Sequence, residues 1–289
     1  MQGSIIKEIR KKKGLTQKEV YSGVVSKSFY SDFEAGKHDV TVTKFVGLLN
    51  NLNISYQEFE NFQQGTAANK VDELYKKGQF EALYQFYLEN SDSPQKEIRY
   101  DAIHAYLLVL LTHTNFYRFS RDPFREITAE LENAKMWTLK EIKLAKLVLL
   151  SLTEGDKTDA KKMFHRINQE LAKYLILDSK IYYQESADLY FNRLQSLLIL
   201  NDLTSAKETL QDYQTMLRES DDLYLLLQLK FITNLVNLYF DFPNYQKKIE
   251  QFMLMMREIP TSETHFYQII LDLHLEKARN FYQRQQKLS

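Results

Sequence analysis

The sequence predicts an all-α protein, in which a small helical domain precedes a longer α-solenoid of stacked helical hairpins. Three observations carry this. The 289 residues include only 8 Gly and 4 Pro, well below ordinary usage, whereas sheets with many tight turns need more of both. Apolar residues recur at helical spacing along almost the whole chain. Short polar turns recur through the carboxy-terminal part at intervals expected of helical-hairpin repeats.

The first domain resolves into five short helices. Ile5, Ile6 and Ile9 stand on one helical face, and Gly14 closes that helix as a carboxy-terminal cap. Thr16 with Glu19 is a capping box opening a second helix, which runs through Val20 to about Ser22. Gly23 supplies a turn and Ser26 caps a third helix, whose Tyr30 and Phe33 face inward before Gly36 ends it. Phe45, Val46, Leu48, Leu49 and Leu52 mark a fourth. Ser55 with Glu58 is a second capping box, opening a fifth helix expected to bury Phe59 and Phe62. The uncharged stretch from Phe62 to Asn69 then separates two textures of sequence. It divides the chain into a domain at 1–65, a linker at 66–70 and a repeat domain at 71–289.

The connection from Tyr21 to Ser26 has the length of a helix-turn-helix. With Arg10, the run Gly14-Leu15-Thr16-Gln17, Ser26 and the run Phe33-Glu34-Ala35-Gly36, this segment resembles the phage-repressor (XRE) type of helix-turn-helix over about 60 residues. The resemblance implies that residues just after Ser26 point into the major groove of DNA. Lys27 and Ser28 then meet base edges, with Ser31 and Asp32 one turn on. A lysine donates to guanine O6 and N7, and a serine serves either base type. Gln17 is placed to face a phosphate. Arg10 and Glu34 match the family's internal ion pair, a structural role preferred here to DNA contact. Lys11, Lys12 and Lys13 either meet phosphate or form a solvated face. Asp32 departs from expectation, since an acid near DNA is repelled by phosphate. Phe29 stands in a slot that is commonly polar, so it packs on a thymine methyl or against a partner subunit.

Charge agrees with a local DNA face. The whole chain balances 38 basic against 38 acidic residues, yet residues 1–45 carry nine Lys/Arg against five Asp/Glu. A protein that coats polyanions would be more basic overall.

The repeat domain is punctuated by turns of similar form, at Gly78 to Ala82, Gly155 to Ala160 and Asn201 to Ala206. Each ends in an Ala small enough to let two helices approach closely. Asp241 to Tyr245 is a fourth turn, without the Ala, and Ser120 to Pro123 fills the gap in the series. The period of roughly 35–45 residues is nearest to tetratricopeptide-type repeats, whose stacking leaves a concave groove. A repressor-type helix-turn-helix, a short linker and such repeats together resemble the Rgg family of transcriptional regulators, within the RRNPP group of peptide-pheromone receptors. That resemblance implies a cytoplasmic homodimer that binds a double-stranded DNA operator and is controlled by a short signalling peptide in the groove (quorum sensing). Lys230, Asn234 and Asn237 form one polar stripe on the apolar stretch Leu223 to Phe240 and are candidate groove residues. Asn amides pair with an extended peptide, and Lys takes a carboxylate. Asn192 and Arg193 are candidates from the preceding repeat, with Tyr190 and Tyr183 as stacking surfaces or core.

Other classes fit less well. There is no glycine-rich phosphate loop and no G-x-S-x-G elbow, so the chain is read as not an enzyme. The absence of Cys excludes disulfides, thiolate metal sites and a catalytic thiol. The histidines at 38, 104, 113, 165, 265 and 274 are scattered, and Asp101 and His104 read as satisfying each other or water, not a metal. No cofactor and no metal are called for. The longest apolar candidate, Tyr106 to Leu111, is too short to span a membrane, and no signal-peptide segment is evident. Two alternatives stay open: a DNA-binding regulator driven by a protein partner or small metabolite, and a helical scaffold that does not bind DNA.

Overall fold

The computed structural model describes residues 2–63, 70–112, 122–152, 157–259, 261 and 263–288. Among them lie seventeen helices and no strand. The chain divides into two compact units, Met1–Gln85 and Phe86–Ser289.

In the first unit α1 (Gln2–Lys12), α2 (Gln17–Tyr21), α3 (Lys27–Glu34), α4 (Val42–Asn51) and α5 (Tyr56–Gln63) precede α6 (Lys70–Lys76), and α7 (Phe80–Asn90) runs across the boundary. α1 packs on α3 and α5, and α2 packs on α3 and α4. Ile6, Ile9, Val20, Tyr30, Phe33, Leu48 and Phe59 share the core. Gly3 is needed where α1 crosses α3: a Cβ there would overlap the Phe33 carbonyl. Gly14 adopts φ 67°, and the Leu15 amide donates back to the Arg10 carbonyl at 3.0 Å, closing the helix end. Both capping boxes form, with the Thr16 and Ser55 amides each donating to a Glu carboxylate at 2.7 Å. Asn51 of α4 donates to the Val20 and Ser22 carbonyls at 2.8 and 3.0 Å, which satisfies the end of α2 and fixes where α3 begins. Phe62 is 51% exposed, contrary to the expectation that it is buried. It lies about 60° round α5 from Phe59, beyond the reach of the small core.

The second unit continues with α8 (Lys96–Thr112), α9 (Asp122–Asn133), α10 (Leu139–Ser151), α11 (Lys157–Ala172), α12 (Tyr174–Leu177), α13 (Ser179–Ile199), α14 (Leu203–Met216), α15 (Leu223–Leu238), α16 (Phe242–Arg257) and α17 (Glu263–Leu288). α10 pairs with α11, α13 with α14 and α15 with α16. Neighbouring hairpins touch through both of their helices: α8 packs on α10, α10 and α11 on α13, α13 and α14 on α15, and α15 and α16 on α17.

The helix starts repeat a device. Asp178, Asp202, Asp222 and Asp241 cap α13, α14, α15 and α16, each accepting a backbone N–H of the first turn. Asn201 takes φ 56° between α13 and α14, and the Asp202 amide donates to the Leu197 carbonyl at 2.9 Å. Ala160 and Ala206 are buried at the helix crossings. Ala82 is instead exposed, because Leu83 is the α7 residue that turns inward. Asp101 does not depend on His104: Lys140 binds its carboxylate at 2.7 Å. The turn at Gly155, the start of the turn at Ser120, and His113 lie outside the described residues.

Candidate DNA-reading helix and repeat groove

Ser26 accepts the Phe29 amide at 3.3 Å and so opens α3 at Lys27. Helical periodicity then divides the side chains. Tyr30, Phe33 and Glu34 turn inward, while Lys27, Ser28 and Ser31 are exposed on one side. Lys27 makes no hydrogen bond or ion pair among the described residues, so its ammonium is available. Ser28 Oγ lies 3.3 Å from Ser26 Oγ. Asp32 stands one turn on, with its carboxylate 3.1 Å from Lys37 Nζ and 4.0 Å from His38 Nε2. The Lys37 ammonium offsets the negative charge of Asp32 on this surface.

Beneath this surface is a polar anchor. Arg10 donates to both Glu34 oxygens, at 2.6 and 3.0 Å, and to the Leu15 carbonyl at 2.9 Å. Gln17, expected to face phosphate, spends its amide on Glu34 Oε2 at 2.8 Å. It therefore ties α2 to α3. Burial favours the neutral form of Glu34, but hydrogen bonds from Arg10 and Gln17 outweigh it and hold the pKa below the ordinary range. Phe29 is half-buried. Its ring stacks on His38 at 6.0 Å and lies 5.6 Å from Lys44 Nζ. Lys11 is exposed, Lys12 pairs with Glu8 at 2.8 Å, and Lys13 reaches the Asn53 carbonyl at 3.4 Å.

The candidate groove residues separate. Lys230 is exposed, and Asn237 lies half-buried on the same face, its amide donating to the Thr233 carbonyl at 2.8 Å. Asn234, expected on that face, is only 2% exposed. Four residues advance about 40° beyond a full turn, enough to carry it into the packed side of α15. Its Nδ2 finds no partner there. On α13, Asn192 falls on the open stripe that includes Gln184, Asp188 and Ile199. Tyr190 and Arg193 turn the other way. Tyr190 meets Phe164 of α11 edge-on at 5.4 Å and stacks on Tyr213 of α14 at 5.5 Å, while the Arg193 guanidinium lies 5.9 Å from the Phe164 ring. Tyr183 packs against the core.

Sequence reasoning missed two contributors to the open face. α17 carries Phe266, Ile269 and Leu273 as an exposed stripe, Leu273 at 60%. Phe266 reaches the Phe191 ring of α13 at 6.1 Å, which brings that stripe to the α13 side. Lys146 of α10 binds Glu185 at 2.6 Å and lies 3.7 Å from Asp188, adding a charged step beside it. The exposed apolar residues at i, i+3 and i+7 were a readable signal, but core stripes have the same spacing.

Among the described residues no helix is long and apolar enough to cross a membrane, and no group of three metal-ligating side chains converges.

Residues 6–59 match the helix-turn-helix family model HTH_3. No curated protein matches the sequence. Solved structures share the fold over nearly the whole chain. One is a Listeria monocytogenes EGD-e protein described as a transcriptional regulator, at 20% identity and TM-score 0.76, covering 96% of this chain and 98% of that one. A second is the SHP pheromone receptor Rgg2 of Streptococcus dysgalactiae, at 14% identity and TM-score 0.69, covering 96% and 100%. A third is PrgX in complex with cCF10, at 14% identity and TM-score 0.65, covering 97% and 92%. The amino-terminal unit thus contains a helix-turn-helix of the DNA-binding type, in a chain with the fold of pheromone receptors.

Proposed function

We propose that this chain is a cytoplasmic, non-enzymatic transcriptional regulator that binds an operator in duplex DNA as a homodimer, under the control of a short peptide. The carrying observation is the split face of α3, where Lys27, Ser28 and Ser31 stand exposed over a buried Tyr30, Phe33 and Glu34. A helix held so rigidly from below and left polar above suits entry into a major groove. Residues 1–65 serve as the DNA-binding domain, 66–70 as the linker and 71–289 as the receptor and dimerisation domain. Two copies are invoked because one such helix offers few base contacts, and two half-sites multiply them.

The peptide reading rests on the likeness to Rgg2 and PrgX and on the accessible side chains of α13, α15 and α17. Asn192, Lys230 and Asn237 are accessible polar side chains of α13 and α15, and Leu226, Ile269 and Leu273 are exposed apolar side chains of α15 and α17. An extended apolar peptide suits both kinds of side chain. Its binding would favour one curvature of the stack over another and so bias the geometry of the DNA-binding domains.

The test begins with thermal unfolding of the full chain, with and without short peptides encoded by secreted small open reading frames of the host. A peptide at about 100 times its Kd adds about 2.7 kcal/mol of stability, a shift of a few degrees. Selection of duplex fragments by the same protein identifies the operator. Specific DNA retention with no response to any peptide would transfer control to a protein partner or metabolite.

A further inference from the structure

α13 presents a second face that the groove does not use. Arg193 lies about 100° round the helix from Asn192, and with Lys161 and His165 of α11 it lines an open pocket of about 530 Å³. The pocket floor includes Leu149, Leu197 and Leu200. That size and an apolar floor with a few convergent polar groups suit a small molecule.

Cations outnumber acids in the lining, with Lys157, Lys161, Lys162 and Arg193 against Asp202. Arg193 makes no hydrogen bond or ion pair among the described residues and meets only the face of Phe164. Burial lowers its pKa against a weaker opposing field from Asp202. Asp202 is the one acid of the lining, and its carboxylate already accepts the Ser205 amide at 3.2 Å as the cap of α14. Lys161 is exposed, with no partner among the described residues. A half-buried guanidinium has five N–H donors in a fixed fork, and a carboxylate or phosphate is the acceptor that matches it.

We propose that this pocket binds a small amphipathic anion, with Arg193 and Lys161 holding a carboxylate or phosphate head and Leu149, Leu197 and Leu200 receiving its apolar body. The site stands apart from the peptide groove and does not depend on it.

Four probes separate the contributions of head and body: octanoate, octyl phosphate, octanol and inorganic phosphate, each titrated into the full chain by calorimetry and by thermal shift. Octanoate or octyl phosphate is expected to bind saturably at one site per chain, and whichever is tighter identifies the head. Octanol and inorganic phosphate are expected to bind at least tenfold more weakly. Arg193→Met, which keeps most of the buried bulk, should weaken the preferred anion at least tenfold. Lys161→Gln, at an exposed position, should weaken it severalfold and guards against a folding defect in the first variant. Both variants should retain wild-type DNA binding, so a failure here is distinguishable from a failure of the regulator reading. Equal binding of octanol and octanoate, binding of inorganic phosphate as tight as that of the amphipaths, or unchanged affinity in both variants would overturn the proposal.

Discussion

Arg10 of α1 grips Glu34 of α3 through two hydrogen bonds, at 2.6 and 3.0 Å, with the Glu34 side chain only 2% exposed. The pair fixes the helix that the proposed function places in DNA. Removing one partner leaves a buried charge, so Arg10→Met should cost about 3 kcal/mol, whereas Arg10→Met with Glu34→Leu should recover much of that loss. Urea unfolding followed by helical circular dichroism measures both. Because the Glu34 pKa is lowered on folding, its contribution is complete above the ordinary Glu range. It is lost as the pH falls through the lower folded value.

Lys27 and Ser28 are exposed at the start of α3, so their replacement should spare the fold and damage only DNA recognition. Lys27→Ala and Ser28→Ala should each weaken the selected operator by ~1–3 kcal/mol, as expected for loss of a base contact. Gel shifts against the operator and a scrambled duplex check this. A loss shared equally by both duplexes would mark Lys27 as a phosphate contact.

Asp32 brings negative charge to the same surface, partly offset by Lys37 at 3.1 Å. Asp32→Asn should tighten binding to any duplex severalfold at low salt, with the gain fading as salt screens it. Anisotropy titrations of a random duplex at two salt concentrations show the effect. Unchanged affinity at both would mean that Lys37 already neutralises the acid.

The amino-terminal unit was legible because its signals are local. Two capping boxes, Gly14 and Ser26 each determine one turn and involve neighbours only a few residues away. Arg10 and Glu34 were legible through the resemblance alone, since nothing in the spacing requires residues 24 apart to meet. The groove was harder to read. Lys230, Asn234 and Asn237 make one stripe on paper, but α15 is packed on several sides, and 40° decides which side chain remains open. Arg193 sits next to Asn192 in sequence and faces the opposite layer in space. The four Asp caps are local signals of the same kind as those of the first unit, each setting one helix start.

His274 is fully buried, with Nδ1 2.8 Å from the Tyr239 hydroxyl and no partner for Nε2. Burial pushes its pKa down to about 4, with a smaller push from Lys277. An unfolded histidine takes up its proton near pH 6.5. Between pH 6.5 and 4 the unfolded chain therefore binds more protons, and stability should fall as the pH drops, by ~3 kcal/mol across that window. His274→Leu should flatten this slope. Denaturant titrations at pH 7.5, 6 and 5 compare the slopes, so a change in absolute stability from the lost Tyr239 contact does not confuse the result.

Asn234 and Lys230 make opposite predictions from neighbouring turns of α15. Lys230→Ala and Asn192→Ala alter the open face, so both should leave the unliganded melting temperature nearly unchanged. Each should weaken the peptide by about 1 kcal/mol for a neutral hydrogen bond, and more where Lys230 holds a carboxylate. Asn234 Nδ2 is buried without a partner, and an orphaned donor costs more than it contributes. Asn234→Leu, similar in size and apolar, should therefore be neutral or stabilising while peptide affinity stays the same. Paired melting curves with and without peptide resolve all three variants. If Asn234→Leu abolished the peptide response while Lys230→Ala did not, α15 would have to rotate on binding, because only a turn of about 40° exchanges the two positions.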